Sequence, residues 1–451
     1  MKSMLAFLGL IASLLHNGNA NPECGPICDY VHRDDGMFSW EVIETYNQNG
    51  IDTYVLNMTS QAWFDGPGDR HIEETGIYAN RTNMVTAVLR QTPNQPSIFA
   101  GTVVERTEDG LIAWTWREFM DMDLDDQDPE ILLRFPMCKG VKRAFDAMQE
   151  FVTEMTGNEL KNYMVAGASK RGWTTWLQGA VDDRVEAMAP VVLSCLNVNA
   201  NMHHYYQSLG NWPFAFGNYW LENITSYIDS DRVFELEKQV DPLSYKDFLT
   251  MPKMIVSGAS DEFFMPDDYA YFFDELLGDK FIWLLENTGH SVSRGPLYDE
   301  FWTQLETFYL HVINNDTFPE FSWENTIEDD IGRIVLSTDE EIMNITAVYA
   351  VTPDLVVPRR DFRLHVLSGT GEGEVESGIE WIYSPVEDLG NGQYMAEFDI
   401  PEEGHYLGFY IKVTFPYGED RDLTFTSEVN IIPDGFPFED CTGTECRGFL
   451  V

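Results

Sequence analysis

The stretch from Asn162 to Ser194 most constrains what this chain can fold into. Residues 162–168 (NYMVAGA) form a short, continuously apolar run, residues 171–180 read as a helix, and residues 185–194 (VEAMAPVVLS) lead into a second apolar run. A short apolar run bounded by turn residues is a strand covered on both faces, and two such strands joined by a helix run parallel. Further runs at 252–259 and 280–286 extend the pattern, followed by apolar residues at helical spacing over 299–313. This alternation predicts an α/β domain with a largely parallel sheet.

The pattern sets an organisation. An α/β domain is expected over residues 21–322. Residues 195–250, aromatic and irregular in reading, stand in it as a cap-like insertion over the sheet. From about residue 326 short β-rich runs separated by turn signals take over: 331–336, 343–351, 361–367, 379–384, 394–399, 405–414 and 423–431. Seven such runs predict an immunoglobulin-like β-sandwich over 326–433, and residues 434–451 read as a tail pinned by cysteines.

The first twenty residues read as an address. Lys2, the apolar run Met4 to Leu15 and the small residues ending at Ala20 have the layout of a secretory signal peptide, cleaved after Ala20. The run is shorter than the roughly 20 apolar residues a bilayer span needs, so no membrane insertion is expected. Sequons at Asn57, Asn80, Asn223, Asn315 and Asn344 fit a glycosylated, secreted chain. The six cysteines are Cys24, Cys28, Cys138, Cys195, Cys441 and Cys446. The two terminal pairs either close local loops or clasp the ends together, and Cys138 and Cys195, among apolar residues, read as buried thiols or as further disulfide partners. Their spacing with histidine does not match a zinc site, and no metal or other cofactor is expected. The acidic run Asp121 to Glu130 lacks the glycine and glutamate of a calcium loop and reads as solvated. With 28 Lys+Arg against 75 Asp+Glu, a net charge of −47 argues against nucleic acid and anionic membranes as partners.

Three segments place reactive side chains just after strands. In Gly167-Ala168-Ser169-Lys170-Arg171-Gly172-Trp173 a serine sits between a buried strand and a helix, on a sharp turn that lifts its hydroxyl clear of the sheet. The N–H groups that follow, Lys170 first, belong to a helix N-terminus and suit an oxyanion. A second strand ends in Ser260-Asp261-Glu262, and a third in Asn287-Thr288-Gly289-His290. Acid and histidine thus follow successive strands, after the serine, in the Ser…Asp…His chain order of α/β-hydrolases. Separately, Ser169 reads as a helix cap, Asp261 as a loop cap and His290 as a loop histidine; their order favours a Ser–His–Asp triad. Asp267 and Asp268 are rival acids. Arg171, Trp173, His203 and His204 are candidate pocket residues. The elbow departs from G-x-S-x-G: its second glycine comes one place late, and Arg171 stands where a small residue is usual.

At these residues the chain resembles the PhoPQ-activated pathogenicity-related proteins, whose eukaryotic members include secreted autocrine proliferation repressors. The matching blocks are Met58-Thr-Ser-Gln-Ala-Trp63, Pro93-Asn-Gln-Pro96, Arg106-Thr-Glu-Asp-Gly-Leu-Ile-Ala-Trp-Thr-Trp116, Pro136-Met-Cys-Lys139, Gly167-Ala-Ser-Lys-Arg-Gly-Trp173, Asp241-Pro242, Pro252-Lys253, Asp261-Glu-Phe-Phe264 and Arg360-Asp-Phe-Arg363. The resemblance implies an α/β-hydrolase fold, makes the shifted glycine a family trait, and puts the triad on Ser169, Asp261 and His290. It also implies a strand ending in Gly-Gly, then a helix, between His71 and the Pro-Asn-Gln-Pro block. Only Ile72 to Thr92 stands there, without a Gly-Gly pair. That region supplies the second oxyanion donor in this fold.

The expected function is a secreted serine hydrolase acting on a small-molecule ester or a peptide. The alternative is a secreted autocrine signal that represses proliferation through a cell-surface receptor, using the hydrolase fold as a scaffold. In a third reading the sandwich is a carbohydrate- or matrix-binding module that uses Trp381 and Tyr383, on one strand face, although core packing explains these two residues equally well.

Overall fold

The computed structural model describes the chain except for residues 1–7, 14–23, 49–50, 61–78, 80, 83, 354–356 and 369–372. The sequon at Asn80 and the stretch right after His71 lie outside the described residues.

The first eight strands are β1 (Leu8–Ser13), β2 (Ser39–Gln48), β3 (Ile51–Thr59), β4 (Val85–Val88), β5 (Asn162–Ala168), β6 (Val185–Val191), β7 (Lys253–Gly258) and β8 (Lys280–Leu285). β5 to β8 lie side by side and run parallel. Their side chains alternate between two cores. Tyr163, Val165, Ile255, Ile282 and Leu284 enter one, while Met164, Ala166, Met254, Val256, Phe281 and Trp283 enter the other. Neither face is solvated, which is why these strands read as unbroken apolar runs.

Helices α1 (Pro26–His32), α2 (Asp109–Asp121), α3 (Arg134–Thr156) and α4 (Lys170–Val181) cover the first face through Ile27, Leu111, Phe145 and Trp176. The 195–250 stretch, read as irregular, contains α5 (Val198–Leu209), α6 (Gly217–Leu221) and α7 (Asp231–Val240). Val198, Met202, Tyr205 and Leu209 give α5 a buried stripe, hidden in the sequence by polar aromatics on its other faces. On the second face α8 (Tyr298–Asn314) buries Phe301, Leu305 and Phe308.

At the β5 edge the sheet becomes mixed. β1 pairs antiparallel with β5, from Leu8 opposite Gly167 to Ser13 opposite Asn162, and β4 pairs antiparallel with β1. The apolar run read as the core of a leader thus lies beside the strand that ends at Ser169. The β2–β3 hairpin stands apart, with Trp40 and Tyr54 edge-on to Phe151 of α3.

The rest is β-rich: β9 (Ser322–Glu328), β10 (Ile331–Ser337), β11 (Asn344–Val351), β12 (His365–Leu367), β13 (Glu374–Glu376), β14 (Ile382–Ser384), β15 (Glu387–Gly390), β16 (Gln393–Asp399), β17 (Leu407–Tyr417), β18 (Arg421–Thr426) and β19 (Asn430–Ile432). β14, β11, β17 and β18 continue the central sheet, joined to β8 where Thr426 faces Ile282. β15, β16, β10 and β9 form a second sheet packed on it. The contact is tight: a Cβ on Gly332 of β10 would lie 2.7 Å from Ile432 and 3.0 Å from Phe409. The Asn430 side-chain amide stitches the layers by donating to the carbonyls of Thr326 and Arg333, both at 3.1 Å.

The disulfides Cys24–Cys28 and Cys441–Cys446 close local loops, and Cys138 and Cys195 are buried thiols. Burial pushes the Cys138 thiol up to about 12, so it stays protonated and unreactive. The acidic run around Asp121 to Glu130 is largely exposed. Among the described residues no helix is long and apolar enough to cross a membrane.

Candidate active site

Ser169 ends β5 in a conformation no ordinary strand or helix allows, with φ 58° and ψ −126°. Its N–H donates to the Val191 carbonyl at 2.9 Å and its carbonyl accepts from the Trp173 N–H at 3.0 Å, so both neighbours hold the turn. The late glycine has a steric reason. A Cβ on Gly172 would sit 2.8 Å from the Val191 carbonyl oxygen and 3.0 Å from that of Gly167. The glycine lets α4 lie directly against β5 and β6. Gly172→Ala is therefore expected to destabilise the fold by about 1–3 kcal/mol, the usual range for overpacking, read from denaturant unfolding; an unchanged midpoint would contradict this.

Arg171 points away from the turn. Its Nε donates to the Thr92 carbonyl at 2.6 Å and its Nη1 to Glu108 at 2.9 Å. Lys170 is also buried, its ammonium against Glu108 and 3.6 Å from Asp109. Gln95, of the Pro-Asn-Gln-Pro block, accepts from the Glu108 N–H at 2.8 Å. Three blocks of the sequence resemblance therefore meet at Glu108. Burial pushes this carboxyl up, but Lys170 and Arg171 overcome it and hold it at about 2. Because its folded value lies below the ordinary one, the carboxylate stabilises the fold above about pH 4.5 and loses that effect as pH falls toward 2. Glu108→Gln is expected to flatten acid unfolding across that window; an unchanged acid profile would remove Glu108 from the account.

The other two side chains reach Ser169 from the ends of β7 and β8. His290 Nε2 lies 2.8 Å from Ser169 Oγ, and His290 Nδ1 lies 2.8 and 2.9 Å from the Asp261 oxygens. Asp261 also accepts from the N–H groups of Phe263 and Phe264, at 2.7 and 3.3 Å. Burial pushes its carboxyl up and the His290 imidazole pulls it back, leaving it above its ordinary value. The His290 ring packs against Phe263, centroids 4.4 Å apart. Ser169 and His290 are each only 5% exposed, so the pair is covered as well as aligned.

The rival acids are engaged elsewhere. Asp267 and Asp268 flank the buried His204 at 3.2 and 3.3 Å, and Arg360 neutralises Asp267 at 2.8 Å. His203 bridges Asp229 and Asp440 near the surface. Trp173 lies in the core, its indole N–H on the Val240 carbonyl and its ring under Arg134 at 4.4 Å. None of the side chains of Arg171, Trp173, His203 and His204 hydrogen-bonds to, or stacks on, Ser169 or His290 among the described residues. Trp381 is buried and donates to Ser260 Oγ at 2.9 Å, so its ring is not available to a sugar. Of the sequons, Asn57, Asn315 and Asn344 are exposed and Asn223 is half-buried.

Sequence reasoning missed Glu108 and Glu262 as site residues. Both stand inside quoted blocks, and Glu262 adjoins Asp261.

Fold and geometry together are of the α/β-hydrolase type: a mixed sheet flanked by helices, with serine, acid and histidine converging from the ends of the parallel strands β5, β7 and β8. The chain belongs to the PhoPQ-activated pathogenicity-related protein family, whose sequence profile matches residues 65–363. It is 31% identical to autocrine proliferation repressor protein A of Dictyostelium discoideum over 488 aligned positions, covering 97% of this chain and 95% of that one. Similar solved structures include acetyl xylan esterase 1 from Thermoanaerobacterium (16% identity, 63% of this chain and 93% of that one, TM-score 0.39). Another is an acetyl xylan esterase from Paenibacillus (14% identity, 52% and 69%, TM-score 0.35).

Proposed function

We propose that this protein is a secreted serine hydrolase that cleaves an ester or peptide bond. The observation that carries the reading is the single hydrogen-bonded line Ser169 Oγ, His290, Asp261, with 2.8 Å at each step. In it His290 Nε2 takes the hydroxyl proton as Oγ bonds to the carbonyl carbon. The carbonyl oxygen becomes an oxyanion facing the Lys170 N–H, which as the first helical residue has no acceptor within its own helix. Collapse breaks the bond to the leaving group, which departs with the proton from His290. Water then repeats the sequence on the acyl-serine, releasing the acid and restoring Ser169. Asp261 holds the imidazolium throughout and takes no proton. The test is hydrolysis of p-nitrophenyl acetate by the full chain. Turnover above the His290→Ala control supports the reading, and equal rates contradict it.

Secretion is part of the proposal. The mature N-terminus is expected at Asn21, read by intact mass of exported protein; an N-terminus at Met1 would contradict cleavage and keep β1 in the sheet. Cleavage removes β1 and with it the partner of β5 on that side. Glycans are expected on the exposed sequons. For the C-terminal two-sheet region we favour an immunoglobulin-like sandwich.

The relative's name supports a second reading, a secreted repressor of proliferation acting through a receptor. It predicts that Ser169→Ala protein still slows cell growth, whereas the hydrolase reading, if growth control depends on turnover, predicts that the effect is lost.

A further inference from the structure

Two loops carry the acid and the base, and both are gripped by Leu364, His365 and Trp381 of the C-terminal β region. On the base loop Asn287 is held at φ 53°. Its side-chain amide donates to the Trp381 carbonyl at 2.8 Å and accepts from the Trp381 N–H at 2.8 Å. On the acid loop Ser260 accepts twice, at its carbonyl from the Leu364 N–H and at its hydroxyl from the Trp381 indole, both at 2.9 Å. Between the loops sits Glu262. One of its oxygens accepts the His290 backbone N–H at 2.7 Å, and the other meets His365 Nδ1 at 2.6 Å. The packing leaves no slack, since a Cβ on Gly289 would lie 2.7 Å from the Glu262 carboxylate.

We propose that His365 and Trp381 of the C-terminal β region are positioning residues that set His290 against Ser169, so that this region completes the site rather than forming a separate binding module. The inference rests on the hydrolase reading. His365 acts through Glu262 and Trp381 through Asn287; neither touches the reacting atoms. The charged groups facing His365 are Glu262 and, opposite it on β13, Glu376. Those facing His290 are Asp261 and Glu262. The His365 Nδ1–H, given to the Glu262 carboxylate, offsets part of that charge. Without it, that carboxylate favours the imidazolium of His290.

The experiment compares the full-length wild type with Asn287→Gly, which keeps the positive φ but loses both bonds to Trp381, and with His365→Ala and His365→Lys. The p-nitrophenyl acetate kcat is expected to fall up to about 10²-fold in Asn287→Gly at unchanged KM, the scale of a misplaced catalytic group. In His365→Ala the acid limb of the kcat/KM profile should move to higher pH, and His365→Lys should bring it back. A wild type that turns over, with kcat in Asn287→Gly and the acid limb in His365→Ala both unchanged, overturns this inference alone. A wild type with no turnover overturns the hydrolase reading and this inference with it.

Discussion

Ser169→Ala is expected to lower ester turnover by about 10⁵–10⁶-fold while leaving the fold in place. The magnitude follows from the role: without Oγ there is no acyl-serine, and what remains is the effect of binding and the oxyanion donor on attack by water. The structure explains why the loss should be so clean. The hydroxyl is the only part of Ser169 that meets His290, whereas the backbone N–H and carbonyl, bonded to Val191 and Trp173, carry the turn. Alanine keeps both backbone bonds. Thermal unfolding should therefore change little, and the check is kcat/KM alongside the unfolding midpoint. A variant that retains turnover would remove Ser169 from the mechanism.

Asp261→Asn should cost about 10⁴-fold in kcat, again with little change in stability. In the wild type both carboxylate oxygens face His290 Nδ1, which must carry a proton toward them. That leaves Nε2 unprotonated and able to accept from Ser169. An asparagine amide in the same place offers its own N–H to Nδ1. The ring then protonates at Nε2, and its base function toward Ser169 is lost. The deficit is measured by kcat as a function of pH. A loss of tenfold or less would mean that another carboxylate orients His290, although Asp267 and Asp268 are committed to His204 and Arg360.

Much of this was legible in the residues. The strands at 162–168, 253–258 and 280–285 were readable because each is buried on both faces, and burial on both faces removes polar residues from the run. That Ser169, Asp261 and His290 lie just past strand ends was readable because each follows such a run. What stayed hidden depends on long-range pairing. Nothing local to Glu108 shows that it grips Lys170 and Arg171 sixty residues on, nor that Asn287 binds the backbone of Trp381. The helix α5 was obscured because His203 and Tyr206 set polar rings beside its buried stripe. The seam at Thr426 and Ile282, which makes the C-terminal β region continuous with the central sheet, rests on one residue pair and leaves no pattern in either strand. The placement of β1 had no cue either, because an apolar run of that length reads the same as a leader.

The most direct test of the central claim is reaction of the folded, full-length protein with a fluorophosphonate, followed by mass mapping of the adduct. Such probes phosphonylate a serine, the Oγ–P bond forming as fluoride leaves, only where a base has activated the hydroxyl. The account predicts one adduct on the peptide containing Ser169, absent in Ser169→Ala and strongly slowed in His290→Ala. Folded protein that takes no label, or takes it at another serine, would contradict it.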